Sequence, residues 1–202
     1  MSAVSVYDNF PGSSGSDLNT IGSWSRHTNF STQSIALSGS NRIYSNSASA
    51  RNMYLNSWSP ATANYSVKVL LNYQSSIFGT QIGICGRMSS VATTCYFGYF
   101  DDAAAQLLIG KFVAGSYTTL GFVSQTITTG TSHTLELSMI GSIISLQYDG
   151  STIISVTDTS ITAAGQAGFT NQGAMTSTTG MQAGAFYAGL SNVGSPTQQC
   201  SF

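Results

Sequence analysis

Between Ser132 and Thr157 the chain reads SHTLELSMIGSIISLQYDGSTIISVT, and no other stretch narrows the possible folds as much. Leu135, Leu137 and Met139 alternate with Thr134, Glu136 and Ser138, the two-residue period of a half-buried strand. After Gly141-Ser142 a second run sets Ile144, Leu146 and Tyr148 against Ser145, Gln147 and Asp149. Asp149-Gly150 supplies residues that tolerate positive φ in a tight hairpin turn, and Thr152 to Thr157 returns with Ile154 and Val156 on one side. Three strands joined by such short turns form an antiparallel meander with one apolar face. That face has to be covered, so a second layer is required.

The same pattern continues along the rest of the chain. Extended segments are expected at Val4 to Phe10, Ser23 to His27, Ile35 to Leu37, Asn41 to Ser45, Met53 to Leu55 and Tyr65 to Tyr73. Further strands are expected at Thr80 to Met88, Cys95 to Phe100, Leu107 to Val113, Tyr117 to Val123, Gly165 to Asn171 and Met181 to Leu190. A helical period shows weakly and only over Asp101 to Leu108. The expected fold class is therefore all-β, a two-sheet antiparallel sandwich with little or no helix. Residues 1–190 read as one domain, and 191–202 (SNVGSPTQQCSF) as a tail.

Composition excludes several functions. Hydrophobic residues make up 42% of the chain, enough for a core, while Asp, Glu, Lys and Arg make up 6%, against roughly 25% in an average soluble protein. With 6 basic and 7 acidic residues there is no basic patch to neutralise phosphates, which argues against a nucleic-acid partner. No run approaches the ~20 apolar residues of a membrane span, so no membrane partner is expected. The opening MSAVSVYDNF has neither a basic region nor an apolar run of signal-peptide type and reads as a first strand, so synthesis in a cytoplasm is expected. Cys85, Cys95 and Cys200 do not form a disulfide framework; Cys85 and Cys95 flank a hairpin, and whether they are joined is left open.

The order of several short motifs resembles a known family. These are Asp8-Asn9-Phe10, Trp24, Gly86-Arg87 before a tyrosine-rich strand, AGSYTTLG at 114–121, Leu135-Glu136-Leu137, Tyr148-Asp149-Gly150 and VTDTSITAAGQAGF at 156–169. Together they resemble the concanavalin A-like jelly-roll domains, of the laminin-G-like type found in bacterial surface proteins and phage virion proteins. The resemblance spans about residues 4–190 and implies a jelly-roll topology for the sandwich. Where the family closes on an Asp-containing version of the opening motif, this chain has Gly184-Ala185-Phe186, so a site using that acid is not carried over.

Catalysis is not expected. Glycoside hydrolysis needs two carboxylates across the scissile bond, and the single glutamate, Glu136, has no partner acid along its strand. No G-x-S-x-G elbow exists for His133 or His27 to serve, and both histidines read as surface residues. No Cys-His cluster has zinc spacing, so no metal ligands are assigned. Asp101-Asp102 offers a calcium position, against which the low acid count weighs; otherwise no cofactor is expected. Rings stack on sugar faces, so the expected ligand-binding residues are Tyr73, Arg87, Tyr96 and Tyr99, with a backbone-bonded structural role as the alternative for Arg87. The expected function is a non-enzymatic structural or decoration subunit of a phage virion that also binds host-surface glycans, with other virion subunits or further copies as partners. The alternative is a carbohydrate-binding adhesin module, secreted or on a cell surface.

Overall fold

The computed structural model describes residues 5–30, 34–47 and 51–191. In chain order the strands are β1 (Ser5–Asp8), β2 (Trp24–Arg26), β3 (Ile35–Leu37), β4 (Arg42–Ser45) and β5 (Asn52–Asn56). They continue with β6 (Tyr65–Tyr73), β7 (Gln81–Met88), β8 (Cys95–Asp101), β9 (Gln106–Val113) and β10 (Ser116–Ser124). The last are β11 (Thr131–Ile140), β12 (Ile143–Tyr148), β13 (Ser151–Thr157), β14 (Gln166–Gln172) and β15 (Met181–Leu190). Helix among the described residues is limited to 3₁₀ turns at Leu18–Thr20 and Thr28–Phe30. The weak helical period after Asp101 belongs to a turn followed by β9. Val4 and residues 192–202, with Cys200, lie outside the described residues.

The strands form two antiparallel sheets. One runs β13-β12-β11-β6-β15-β4-β3, with β1 also pairing along β15; the other runs β10-β9-β8-β7-β14-β5-β2. The meander lies in the first sheet in the expected register: Leu137 faces Leu146 on β12 and Val67 on β6, and both leucines are fully buried. Its β12–β13 turn is Asp149-Gly150, both at positive φ (49° and 78°), as a two-residue hairpin requires.

The inner faces of the sheets meet in one apolar core, with Val67, Val69, Leu135, Leu137 and Leu146 on one side and Ile82, Ile84, Phe100 and Ile109 on the other. The opening Asp8-Asn9-Phe10 motif closes this core. Asp8 accepts hydrogen bonds from the Phe10 amide (2.7 Å) and from the Trp24 indole Nε1 (2.7 Å). Phe10, Trp24, Phe169 and Phe186 then pack as a ring cluster with centroids 4.8–5.8 Å apart. Phe186, from the Gly184-Ala185-Phe186 segment, thus contributes to packing.

Cys85 and Cys95 are free thiols, both buried. Cys85 is opposite Phe97 in the β7–β8 register, so the two cysteines are diagonal neighbours on adjacent strands.

Candidate functional site

Alternation along each strand divides the seven-stranded sheet into an inner face and an outward face, and the outward face is the unusual one. Its inner-facing residues include Tyr96, Phe100 and Phe169, which belong to the main core. Its outward residues form a second apolar cluster of Met53, Leu55, Cys85, Cys95, Phe97, Tyr99, Leu108 and Phe112, against which Phe30 packs. Two glycines leave room for this layer. A Cβ on Gly83 would lie 2.4 Å from Tyr99 Cβ, and one on Gly110 would lie 2.5 Å from Phe97 Cζ. Without those side chains the rings of β8 lie down over their neighbouring strands.

Arg51, just before β5, lies over this layer. Its Cζ is 5.6 Å from the ring centroids of Tyr99 and Phe112 and 5.9 Å from that of Phe97. The guanidinium donates to Gln81 Oε1 (2.7 Å), Gln172 Oε1 (3.1 Å) and Thr170 Oγ1 (3.1 Å). Gln81 passes the contact on, donating from Nε2 to Asp101 Oδ2 at 2.8 Å. On the other flank Tyr117 of β10 stacks on Phe97 (5.8 Å, 26°) and packs edge-on against Phe112 (5.5 Å). Its hydroxyl is 3.2 Å from that of Tyr99 and 3.0 Å from Thr119 Oγ1. Burial first, and then the Tyr117 hydroxyl, pushes the Tyr99 pKa far up, so Tyr99 stays neutral.

Tyr117 is 45% exposed and Phe122, further along β10, is 60% exposed. They share the outward face because of a bulge: Tyr117 pairs with Phe112 and Phe122 with Leu108, with the register shifting between Thr119 and Gly121. The outward face therefore offers two open rings flanked by hydroxyls, amides and one guanidinium. Asp101 is the one carboxylate on it among the described residues of these strands.

Of the residues expected to bind ligand, only Tyr99 lies on this face. Tyr96 is three residues from Tyr99, so the pleat sends it inward, where its hydroxyl donates to Asp158 Oδ1 at 2.6 Å. Tyr73 belongs to the other sheet, and its hydroxyl donates to Asp102. Arg87 is 3% exposed, with its guanidinium donating to the backbone oxygens of Ile161 (2.7 Å), Gly141 (2.8 Å) and Ala63 (3.0 Å). It ties three loops together from inside, so Arg87, Tyr96 and Tyr73 each have partners within the protein and lie away from this face. His27 corrects the surface reading: it is fully buried, with Nε2 3.0 Å from the Ser89 carbonyl oxygen and 3.1 Å from that of Ala92.

The calcium position is also occupied by the protein's own donors. Asp101 accepts from the amides of Ala103 (3.0 Å) and Ala104 (3.2 Å), and Asp102 accepts from Tyr73 and from Ser76 Oγ (2.8 Å). Among the described residues no three of His, Cys, Asp and Glu gather as a metal-holding group. Glu136 lies on the outward face of the other sheet, 3.5 Å from Lys68 Nζ. A shallow hollow of 410 Å³ at the loop end is lined by Ser59, Ser89, Ser90 and Gln166 among others, with no ring or charge in it. The outward face of the seven-stranded sheet has both, and it is the candidate site.

Arg51, Tyr117 and Phe122 escaped the sequence reading. Tyr117 was visible as an aromatic in an alternating strand, but the bulge that puts Phe122 on the same face left no pattern. Arg51 stands in a small polar run with no periodicity.

The architecture is a concanavalin A-like jelly-roll sandwich. It superimposes on carbohydrate binding module CBM66 from Bacillus subtilis with a TM-score of 0.64 at 15% identity, over 81% of this chain and 91% of that one. The β-glucanase of Bacillus licheniformis gives 0.62 at 10% identity, over 95% and 100% of the two chains. A galectin-like protein of unknown function from Bacillus subtilis gives 0.65 at 8% identity, over 94% and 97%. Identities this low establish the shared fold and nothing finer. No family model matches the chain, and no curated protein matches its sequence.

Proposed function

We propose that this chain is a carbohydrate-binding module that holds a glycan on the outward face of its seven-stranded sheet. The observation that carries the reading is the pair of open rings, Tyr117 and Phe122, set among the hydroxyl of Thr119, the amides of Gln81 and Gln172, and Arg51. Flat rings receive the C–H faces of sugars, while fixed amides and hydroxyls bond sugar hydroxyls and set orientation. Likeness to a carbohydrate binding module and a glucanase raises the prior by analogy of fold alone. A glycosidase would need a second carboxylate within roughly 5–10 Å of the first. Asp101, already bonded to Gln81 and to two backbone amides, is the one carboxylate on this face among the described residues of its strands. The virion-subunit reading draws on the sparse charge, the Ser/Thr/Gly-rich composition and an opening without signal-peptide character, and the likeness of fold supports the binding module better.

The test is a glycan array followed by calorimetry on the glycans retained. Tyr117→Ala and Phe122→Ala should each weaken binding by about tenfold or more while melting stays cooperative. Absence of retention of any glycan by the wild-type protein would overturn the reading.

A further inference from the structure

We infer that the glycan held on this face is acidic, and that Arg51 receives its carboxylate. The inference rests on the binding reading just given and narrows the class of its ligand.

The chain has 6 basic residues, and their partners differ in kind. Arg26 pairs with Asp17, Lys68 with Glu136 and Lys111 with Asp158. Arg87 is enclosed by backbone carbonyls, and Arg42 meets Gln182 Oε1 at 3.5 Å on the other sheet. Arg51 is set on three rings, where Arg87 has the single inner ring of Tyr96 beneath it, and the three hydrogen bonds of Arg51 all go to neutral oxygens. Among the described residues no carboxylate pairs with it. Asp101 is one side chain removed, reached only through Gln81, and its own oxygens are engaged by Gln81, Ala103 and Ala104.

A guanidinium carries five N–H donors, so two of those of Arg51 remain for a ligand. The rings beneath it are a low-dielectric layer that screens charge less than water does, so an anion arriving above is attracted more strongly than at a fully solvated arginine. Arg51 and the open Tyr117 flank the same two buried rings, Phe97 and Phe112. A sugar stacked on Tyr117 therefore has the guanidinium at its side, where a carboxylate substituent can accept a charge-assisted hydrogen bond from a remaining N–H. Gln81 and Gln172 hold one edge of the guanidinium through Nη2.

A purely architectural Arg51, pinning β5 to β14 and β7, would influence melting but not the choice between charged and neutral sugars. The experiment separates the two. Binding of the full chain is measured to polygalacturonate and hyaluronate against their carboxyl-reduced forms, and to sialylated against desialylated glycans, at low and moderate salt. At least one acidic member should bind about tenfold or more tightly than its neutral counterpart, with the preference shrinking as salt rises. Arg51→Gln should abolish that preference while keeping the weaker neutral binding, and Arg51→Lys should restore part of it. Equal binding of every acidic and neutral pair overturns the inference and leaves the glycan-binding reading in place. A preference that survives in Arg51→Gln also overturns it. Failure to bind any glycan removes both. Should Arg51→Gln melt uncooperatively, the wild-type pairs and their salt dependence still decide.

Discussion

Asp158, in the loop after β13, gathers the Lys111 ammonium (2.5 Å), the Tyr96 hydroxyl (2.6 Å) and the Ser160 amide (2.9 Å). Burial works to raise its pKa, but Lys111 and then Tyr96 and Ser160 outweigh that and hold the carboxyl well below the usual carboxylate range. Burial, with Asp158 beside it, pushes Tyr96 up to about 12, so it remains a donor at neutral pH. The sign of the pH effect follows. A carboxyl with a depressed folded pKa stabilises the fold above its unfolded value near 4, and that contribution is lost as pH falls below about 4 toward the folded value. Asp158→Asn should therefore lower stability at pH 7 and flatten the acid-side decline. Urea midpoints from pH 7 down to about 2.5 check this, and parallel curves for variant and wild type would refute it.

At the scale of the element, the β7–β8 hairpin shows why a strand can need a missing side chain. A Cβ at Gly83 would stand 2.5 Å from the Gly98 carbonyl oxygen and 3.0 Å from Tyr99 Cα, both main-chain atoms of the neighbouring strand. No rotamer change relieves a clash with main chain, so the strands have to separate. Gly83→Ala should cost about 1–3 kcal/mol and lift the Tyr99 ring from its layer. Chemical denaturation measures the first effect and near-ultraviolet dichroism the second. A variant as stable as wild type, with an unchanged aromatic spectrum, would show that the ring layer does not depend on this close approach. The bulge in β10 acts in the opposite sense, adding one residue so that Tyr117 and Phe122 end on one face.

For the molecule as a whole, the two sheets present unlike outward faces. One carries the ring layer and Arg51; the other carries the Lys68–Glu136 pair (3.5 Å) opposite Gln147. Glu136→Gln should leave glycan binding unchanged and shift stability by no more than about 1 kcal/mol, the usual worth of a surface pair. Loss of binding in calorimetry with that variant would move the site to the other sheet. The meander was legible in the chain because its information is local. Alternation set Leu137 and Leu146 inward, and Asp149-Gly150 could close only a short hairpin. Alternation also separates Tyr96 from Tyr99, but which of them faces the core depends on which sheet covers the strand. Arg51 shares a face with rings on β8 and β9 because β14, more than a hundred residues later in sequence, pairs with both β5 and β7 and joins β5 to their sheet. Local pattern determined the strands, their turns and their apolar faces. Strand order, the bulge and the outward ring layer arise from pairing between distant segments, and only the tertiary structure decided them.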